Sequence, residues 1–267
     1  MNTLPIALPL TPDACTDASD RCLALEISES SITVLVPGAE AESECIYAEI
    51  ALGADSSQYL RAVEEAVYAN PMLLCDFRSV TVLLRGRNTL VQPQGFGSWL
   101  PAADGMEGLS EGIASLGVEV AADYPAELLK FMRRSFNNPY IGNHLSRLCS
   151  FFGRLSRRSN RRRAYLQCRG AAADVLIYSG GALQFAASYR ITCPNDALYY
   201  ALAACEASGF DRSEGEMMLV APASLRDSLQ PLLRRYVNYV MPLIIPADLC
   251  RQAPLELALA ARPNSHN

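Results

Sequence analysis

Apolar and polar residues alternate with a period of two over residues 22–28, 32–36 and 45–52, which predicts three strands in succession. Leu23, Leu25 and Ile27 share a face in the first, and Ile32, Val34 and Val36 share one in the second. Pro37-Gly38 marks the turn into the third. The period then becomes helical: Leu60, Val63 and Val67 fall on one stripe. Asp55 and Gln58 stand in the capping-box relation for a helix beginning at Ser56. Asn70-Pro71 stops that helix, and residues 80–84 give the next strand.

The same order returns about 140 residues further on, a self-similarity that organises the whole chain. Residues 165–168, 175–178 and 183–191 read as strands, with Gly180-Gly181 in the hairpin position that Pro37-Gly38 holds in the first half. Pro194-Asn195-Asp196 opens a helix with Leu198, Leu202 and Cys205 on one face, closed near Gly209. Residues 217–220 form a strand. A helix capped by Ser224 follows, with Leu225, Leu229, Leu232 and Tyr236 as its stripe, and residues 240–245 form a last strand. Strands joined by short turns must be antiparallel, whereas one reached through a helix can be parallel. The expected fold is therefore α/β, with two mixed sheets and packed helices. Between the copies, residues 93–159 carry a strand at 117–121 and an amphipathic helix at 126–136 with Pro125 in its first turn. The domain division expected is a flexible N-terminal tail (1–20), a first lobe with its connector (21–160), a second lobe (161–252) and a C-terminal tail (253–267).

This order resembles the duplicated ribonuclease H-like lobe of the actin-like ATPase superfamily. More narrowly, the chain resembles a bacterial family of uncharacterised proteins with that fold. The segment Phe185-Ala-Ala-Ser-Tyr-Arg-Ile-Thr-Cys-Pro-Asn-Asp-Ala-Leu-Tyr-Tyr200 carries that likeness, with Thr89-Leu-Val91 and His144 as weaker echoes. It implies two ribonuclease H-like lobes between Arg21 and about Cys250. Superfamily members that hydrolyse ATP place Asp-x-Gly in the first hairpin of each lobe: the glycine admits phosphate to backbone N–H groups, and the aspartate serves Mg²⁺. The matching positions here are Glu26-Ile27-Ser28 and Arg169-Gly170-Ala171. Ser28 brings a side chain where phosphate should lie, and Arg169 a cation where the carboxylate belongs. The Gly-Gly pair that those members carry after a later strand of the second lobe is replaced by Ala221-Pro222-Ala223. The resemblance therefore implies a degenerate actin-like fold: a non-catalytic binding or scaffold protein with no cofactor and no catalytic residue. The alternative is a nucleotide-dependent phosphotransferase or ATPase using ATP with Mg²⁺, Glu26 replacing the aspartate.

Composition narrows the setting. Of 267 residues, 50% are hydrophobic and 19% charged, a globular profile, and no apolar run is long enough for a bilayer. The first cation is Arg21, so a secretory leader is not expected and a cytoplasmic protein is. None of the 9 cysteines forms a Cys-x-x-Cys pair, and only His144 and His266 are present, so reduced thiols and no metal site are expected. Against a net charge of -5, Arg154, Arg157, Arg158, Arg161, Arg162 and Arg163 form a local basic run. It is a candidate anion-binding site for an acidic protein partner or for RNA or DNA phosphates, with Phe151, Phe152 and Tyr165 available to stack on bases. The plainer reading is a solvated connector between lobes. His144 has no carboxylate near it in sequence and reads as structural. Gln94-Gly95-Phe96-Gly97 lacks the Lys-Ser/Thr of a phosphate loop, and Cys193 reads as packing beside a helix start.

Overall fold

The computed structural model describes residues 8–38, 45–53, 58–86, 88–96, 103–245 and 253–262. β1 (Cys22–Ile27), β2 (Ser31–Val36) and β3 (Ile46–Ala51) form the expected antiparallel meander. Helix α1 (Tyr59–Tyr68) then carries the chain to β4 (Ser79–Leu84), which lies parallel to β1. β5 (Thr89–Pro93), β6 (Met106–Ile113) and β7 (Val118–Pro125) form a separate three-stranded antiparallel sheet, followed by α2 (Ala126–Ser135). β8 (Tyr140–Asn143) then completes a first sheet of order β3-β2-β1-β4-β8.

After α3 (His144–Ser156) the pattern repeats. β9 (Arg163–Arg169), β10 (Ala172–Ser179) and β11 (Ala182–Arg190) form a meander, and α4 (Pro194–Ala207) leads to β12 (Glu216–Val220), parallel to β9. α5 (Ala223–Leu233) leads to β13 (Tyr239–Pro242), giving a second sheet of order β11-β10-β9-β12-β13. A short helix, α6 (Leu255–Ala260), comes last among the described elements.

Strand alternation sets the layers, because successive side chains leave a sheet on opposite faces. Leu23, Leu25 and Ile27 of β1 pack outward with α1 and α2, whereas Ala24 packs inward. In the second sheet Leu166 and Cys168 pack outward with α4 and α5, and Tyr165, Leu176 and Tyr178 pack inward. Helices α3 and α6 fill the space between the two inward faces. Every residue of α6 is buried, as expected of a helix that is apolar nearly all round.

Several expectations change. The N-terminal segment is no flexible tail over its described residues: Leu10 is fully buried, its N–H donates to Asn70 Oδ1 at 2.8 Å and its carbonyl accepts from Met72. The C-terminal segment expected as a tail contains α6, in the central core. The buried stripe of α4 is Ala197, Ala201 and Ala204 with Cys205; Leu198 and Leu202 flank it, partly buried. In α5, Leu233 takes the place expected of Leu232, and Tyr236 is half exposed; Pro222, not Ser224, occupies the cap. The expected cap at Asp55 and Ser56 lies outside the described residues. Cys193 is exposed at the α4 N-cap rather than packed.

The middle layer depends on aromatic packing, with Phe152 stacked on Tyr165 at 4.2 Å between centroids and both fully buried. Phe152→Ala should cost about 3–5 kcal/mol in chemical denaturation, the range for emptying a buried aromatic site. A cost below about 1 kcal/mol would mean that α3 does not hold the sheets together.

Candidate functional site

Toward one end of the middle layer, the inward-facing residues turn from apolar to polar on four strands. β1 passes from Ala24 to Glu26, β2 from Leu35 to Thr33, β9 from Tyr165 through Gln167 to Arg169, and β10 from Leu176 to Asp174. β4 ends beside them, and the next residue, Arg85, is anchored by its N–H on Ile27 O at 3.1 Å. Glu256 enters the same space from α6. Glu26, Asp174 and Glu256 are all buried.

Arg85 bridges these three carboxylates. Its Nε donates to Glu26 Oε1, its Nη2 to Glu256 Oε1 at 2.7 Å and its Nη1 to Asp174 Oδ2 at 3.5 Å. Arg169, at the end of β9, donates from Nη1 to Glu26 Oε2 and from Nη2 to Thr33 Oγ1 at 2.7 Å. Its Nη1 also lies 3.7 Å from Glu256 Oε1, and Gln167 Nε2 donates to Glu256 Oε2. Glu26 and Arg169, which the resemblance sets at the two phosphate-site positions, thus pair directly across the lobes. At Ser28 the hydroxyl accepts from the Ser31 N–H at 3.0 Å and the Ser30 N–H at 3.4 Å, so donors in that hairpin are taken internally. Gly170 supplies the φ of +53° that the β9–β10 turn requires.

The charges follow from this geometry. Burial pushes the Glu26 carboxyl up, but Arg85 and Arg169 more than offset it and leave it below its ordinary value. For Asp174, burial is likewise outweighed, by Arg85 and then His144. Burial lowers Arg85, and Glu26, Asp174 and Glu256 together hold it well above its ordinary value. Glu256 moves the other way: burial raises its carboxyl, and the neighbouring Glu26 raises it further. Three carboxylates compete here for two guanidinium groups.

His144 has an orienting carboxylate in space that it lacked in sequence. Its Nε2 lies 3.1 Å from both Asp174 Oδ1 and Ser188 Oγ, while Ser188 donates to the same Asp174 oxygen. A proton relay for acyl transfer needs serine and aspartate on opposite ring nitrogens. Here both meet one nitrogen, and Nδ1 is buried without a hydrogen-bond partner. The trio is a structural brace. Among the described residues, no group of three or more His, Cys, Asp and Glu is placed to hold a metal ion. A groove of about 450 Å³ between β3 and α1, lined by Ile50, Leu52, Arg61 and Glu65 among others, shares no lining residue with this network.

The arginine run lies at the opposite end of β9. Arg154, Arg157, Arg158, Arg161 and Arg162 are exposed, and Arg163 pairs with Glu216 at 2.8 Å. Phe151, Phe152 and Tyr165, expected as stacking platforms, are buried in the middle layer and unavailable to bases. Sequence reasoning missed Arg85, Asp174, Gln167 and Glu256. The available signal was a single ionisable residue inside an otherwise apolar strand, as at Glu26 in Cys-Leu-Ala-Leu-Glu-Ile and Asp174 in Ala-Ala-Asp-Val-Leu-Ile.

Residues 108–240, from β6 to β13, match the model of a family described as "Protein of unknown function (DUF3822)". Over those residues, just under half of the chain, the sequence resembles that family. The DUF3822 match includes Arg169, Asp174 and His144, while Glu26, Arg85 and Glu256 lie outside it. The sequence matches no curated protein. In structure, the chain is similar to a Bacteroides thetaiotaomicron protein with an actin-like ATPase fold and unknown function, at a TM-score of 0.75 and 14% identity, over 85% of this chain and 92% of that one. A PilM–PilN type IV pilus biogenesis complex aligns at 0.49 and 12%, over 90% and 94%. An ethanolamine utilization protein from Carboxydothermus hydrogenoformans aligns at 0.48 and 11%, over 96% and 92%. The first likeness, at low identity, is one of fold, and the other two scores add nothing to it. The protein has two ribonuclease H-like lobes in the actin-like ATPase arrangement.

Arg85→Ala leaves three buried carboxylates with one guanidinium and should destabilise the protein by about 3–5 kcal/mol or more in urea denaturation. The pH dependence has two opposed parts. Glu26 and Asp174, depressed in the folded state, stabilise it above their unfolded values near pH 4 and cease to do so as pH falls. Glu256, elevated, contributes stability at acid pH that is lost as pH rises through its folded value. Glu256→Gln should therefore gain in melting temperature relative to the native chain as pH rises above about 4. A constant difference across that range would refute the assignment.

Proposed function

We propose that this protein is a non-catalytic binding or scaffold protein whose actin-like cleft is closed by its own charges. The observation that carries this reading is the direct pairing of Arg169 with Glu26. In a nucleotide-hydrolysing relative, the corresponding hairpins face each other across phosphate and Mg²⁺. Here each hairpin end neutralises the other.

The residues present do not fit a Mg²⁺-nucleotide. A metal needs free carboxylate oxygens, and Glu26 gives one oxygen to Arg85 and the other to Arg169. Phosphate binding at a hairpin needs convergent free N–H groups, and Ser28 takes two of those in the first hairpin. Arg85 already stands where a cation would balance the three acids. The competing reading, an ATP-dependent phosphotransferase built on Glu26, would need both salt bridges broken before substrate entered. With the cleft closed, binding falls to the outer surface.

The test is a thermal-shift titration with millimolar ATP and Mg²⁺. A ligand at one hundred times its dissociation constant adds about 2.7 kcal/mol of stability, which is readily seen as a rise in melting temperature. The expected result is no rise. A rise in the native chain that vanishes in Glu26→Gln, with circular dichroism showing that variant folded, would overturn the proposal.

A further inference from the structure

At the far end of the second sheet from the charged network, four connections meet: the Gly180-Gly181 hairpin, residues 157–162, residues 209–215 and residues 234–239. β9 runs from this edge to the network, and its seven residues place the two about 20 Å apart. Arg157, Arg158, Arg161, Arg162, Arg212 and Arg235 are exposed along the edge. Against them stand two exposed carboxylates, Asp211 and Glu214, while Glu216 is already paired with Arg163. Asp211 is itself turned onto the Ser213 and Glu214 N–H groups. In a chain of net charge -5, this is a concentrated reversal of sign.

The edge is held in place. Arg162 Nη1 donates to Gly209 O at 2.6 Å, and Arg157 Nη2 to Ser115 O at 3.2 Å. The Arg157 stem lies so close over Gly181, where φ is +84°, that a Cβ there would sit 2.2 Å from Arg157 Cγ. The Arg161 guanidinium stacks 4.7 Å above the ring of Tyr239, which is 42% exposed. Side chains anchored in this way lose less freedom when a ligand binds. The chain has a single lysine, Lys130, and this edge is entirely arginine. The planar guanidinium, with its fork of donors, suits paired contact with carboxylates.

We propose that this edge docks a short glutamate- and aspartate-rich segment of a partner polypeptide, with Arg158, Arg161 and Arg162 receiving its carboxylates and Tyr239 positioning Arg161. The proposal gives the binding reading above a partner class, and rests on that reading only in assuming a binding role; it makes no use of the cleft. A nucleic acid fits less well. Phe151, Phe152 and Tyr165 beside the run are buried, one face of Tyr239 is taken by Arg161, and the acidic remainder of the chain repels a long polyanion. Nor does the partner add a strand to β13. The Val240 carbonyl is taken by Gln230 Nε2 at 3.3 Å and Arg234 Nη2 at 3.2 Å, and Pro242 has no N–H to offer. Docking runs through side chains.

The experiment is a fluorescence-anisotropy titration of a labelled deca-glutamate peptide with the full chain in about 20 mM salt, where exposed charges are little screened. A dodecauridine RNA is titrated in parallel. The peptide should bind more tightly than the RNA, and Arg158→Glu with Arg161→Glu should weaken it by about tenfold or more at an unchanged melting temperature. Tyr239→Ala, which keeps every arginine, should weaken it by about threefold through loss of the stacked support. The proposal fails if the peptide does not bind, or if folded variants bind it as the native chain does. Tighter RNA binding with the same arginine dependence would assign the edge to nucleic acid instead. Because ATP is absent throughout, these outcomes are separate from the fate of the closed-cleft reading.

Discussion

The lobes of this protein meet over buried charge, and a buried charge is tolerated only when it is paired and hydrogen-bonded. Arg85 meets that condition for three carboxylates at once. It reaches Glu26 from the first lobe, Asp174 from the second and Glu256 from a helix that belongs to neither sheet. A guanidinium with three partners fixes position in several directions. The relative placement of the two sheets therefore depends on this side chain as much as on the aromatic packing below it.

The architecture was largely legible because most strands of both meanders are short apolar runs, buried on both faces and punctuated by Pro-Gly, Gly-Gly and Asn-Pro. What escaped had no such signal. β6 reads Met-Glu-Gly-Leu-Ser-Glu-Gly-Ile, and little of it is buried, so its alternation is weak. α3 is buried on nearly every side, including Ser146, Arg147 and Gly153, so no polar face marks its period. α6 is only six residues long, and its glutamate looks like a surface residue until its partners are known. The site was half legible: Glu26 and Arg169 stood out by departing from a motif, but their mutual pairing joins positions 143 residues apart and leaves no local trace.

The two ends of β9 present opposite electrostatic situations. At Arg169 the cation's charge is matched by neighbours and only partly open to solvent. At the strand's start the arginines are displayed, steadied by carbonyl oxygens and one aromatic ring, with most of their charge unmatched. Backbone and layer order are the same at both ends, so the contrast arises from side chains alone. A common fold has been given a closed interior and an open edge.

The position of α6 in the chain has a consequence for how the molecule is made. Every strand of both sheets precedes it, so a growing chain completes both meanders before Leu255–Ala260 leaves the ribosome. Until then, Arg85 has two of its three acidic partners and Arg169 one of its two, and the space between the sheets lacks the apolar side chains of α6. Without α6 the middle layer keeps α3 but loses Leu255, Leu257 and Leu259, and apolar surface between the sheets is left open.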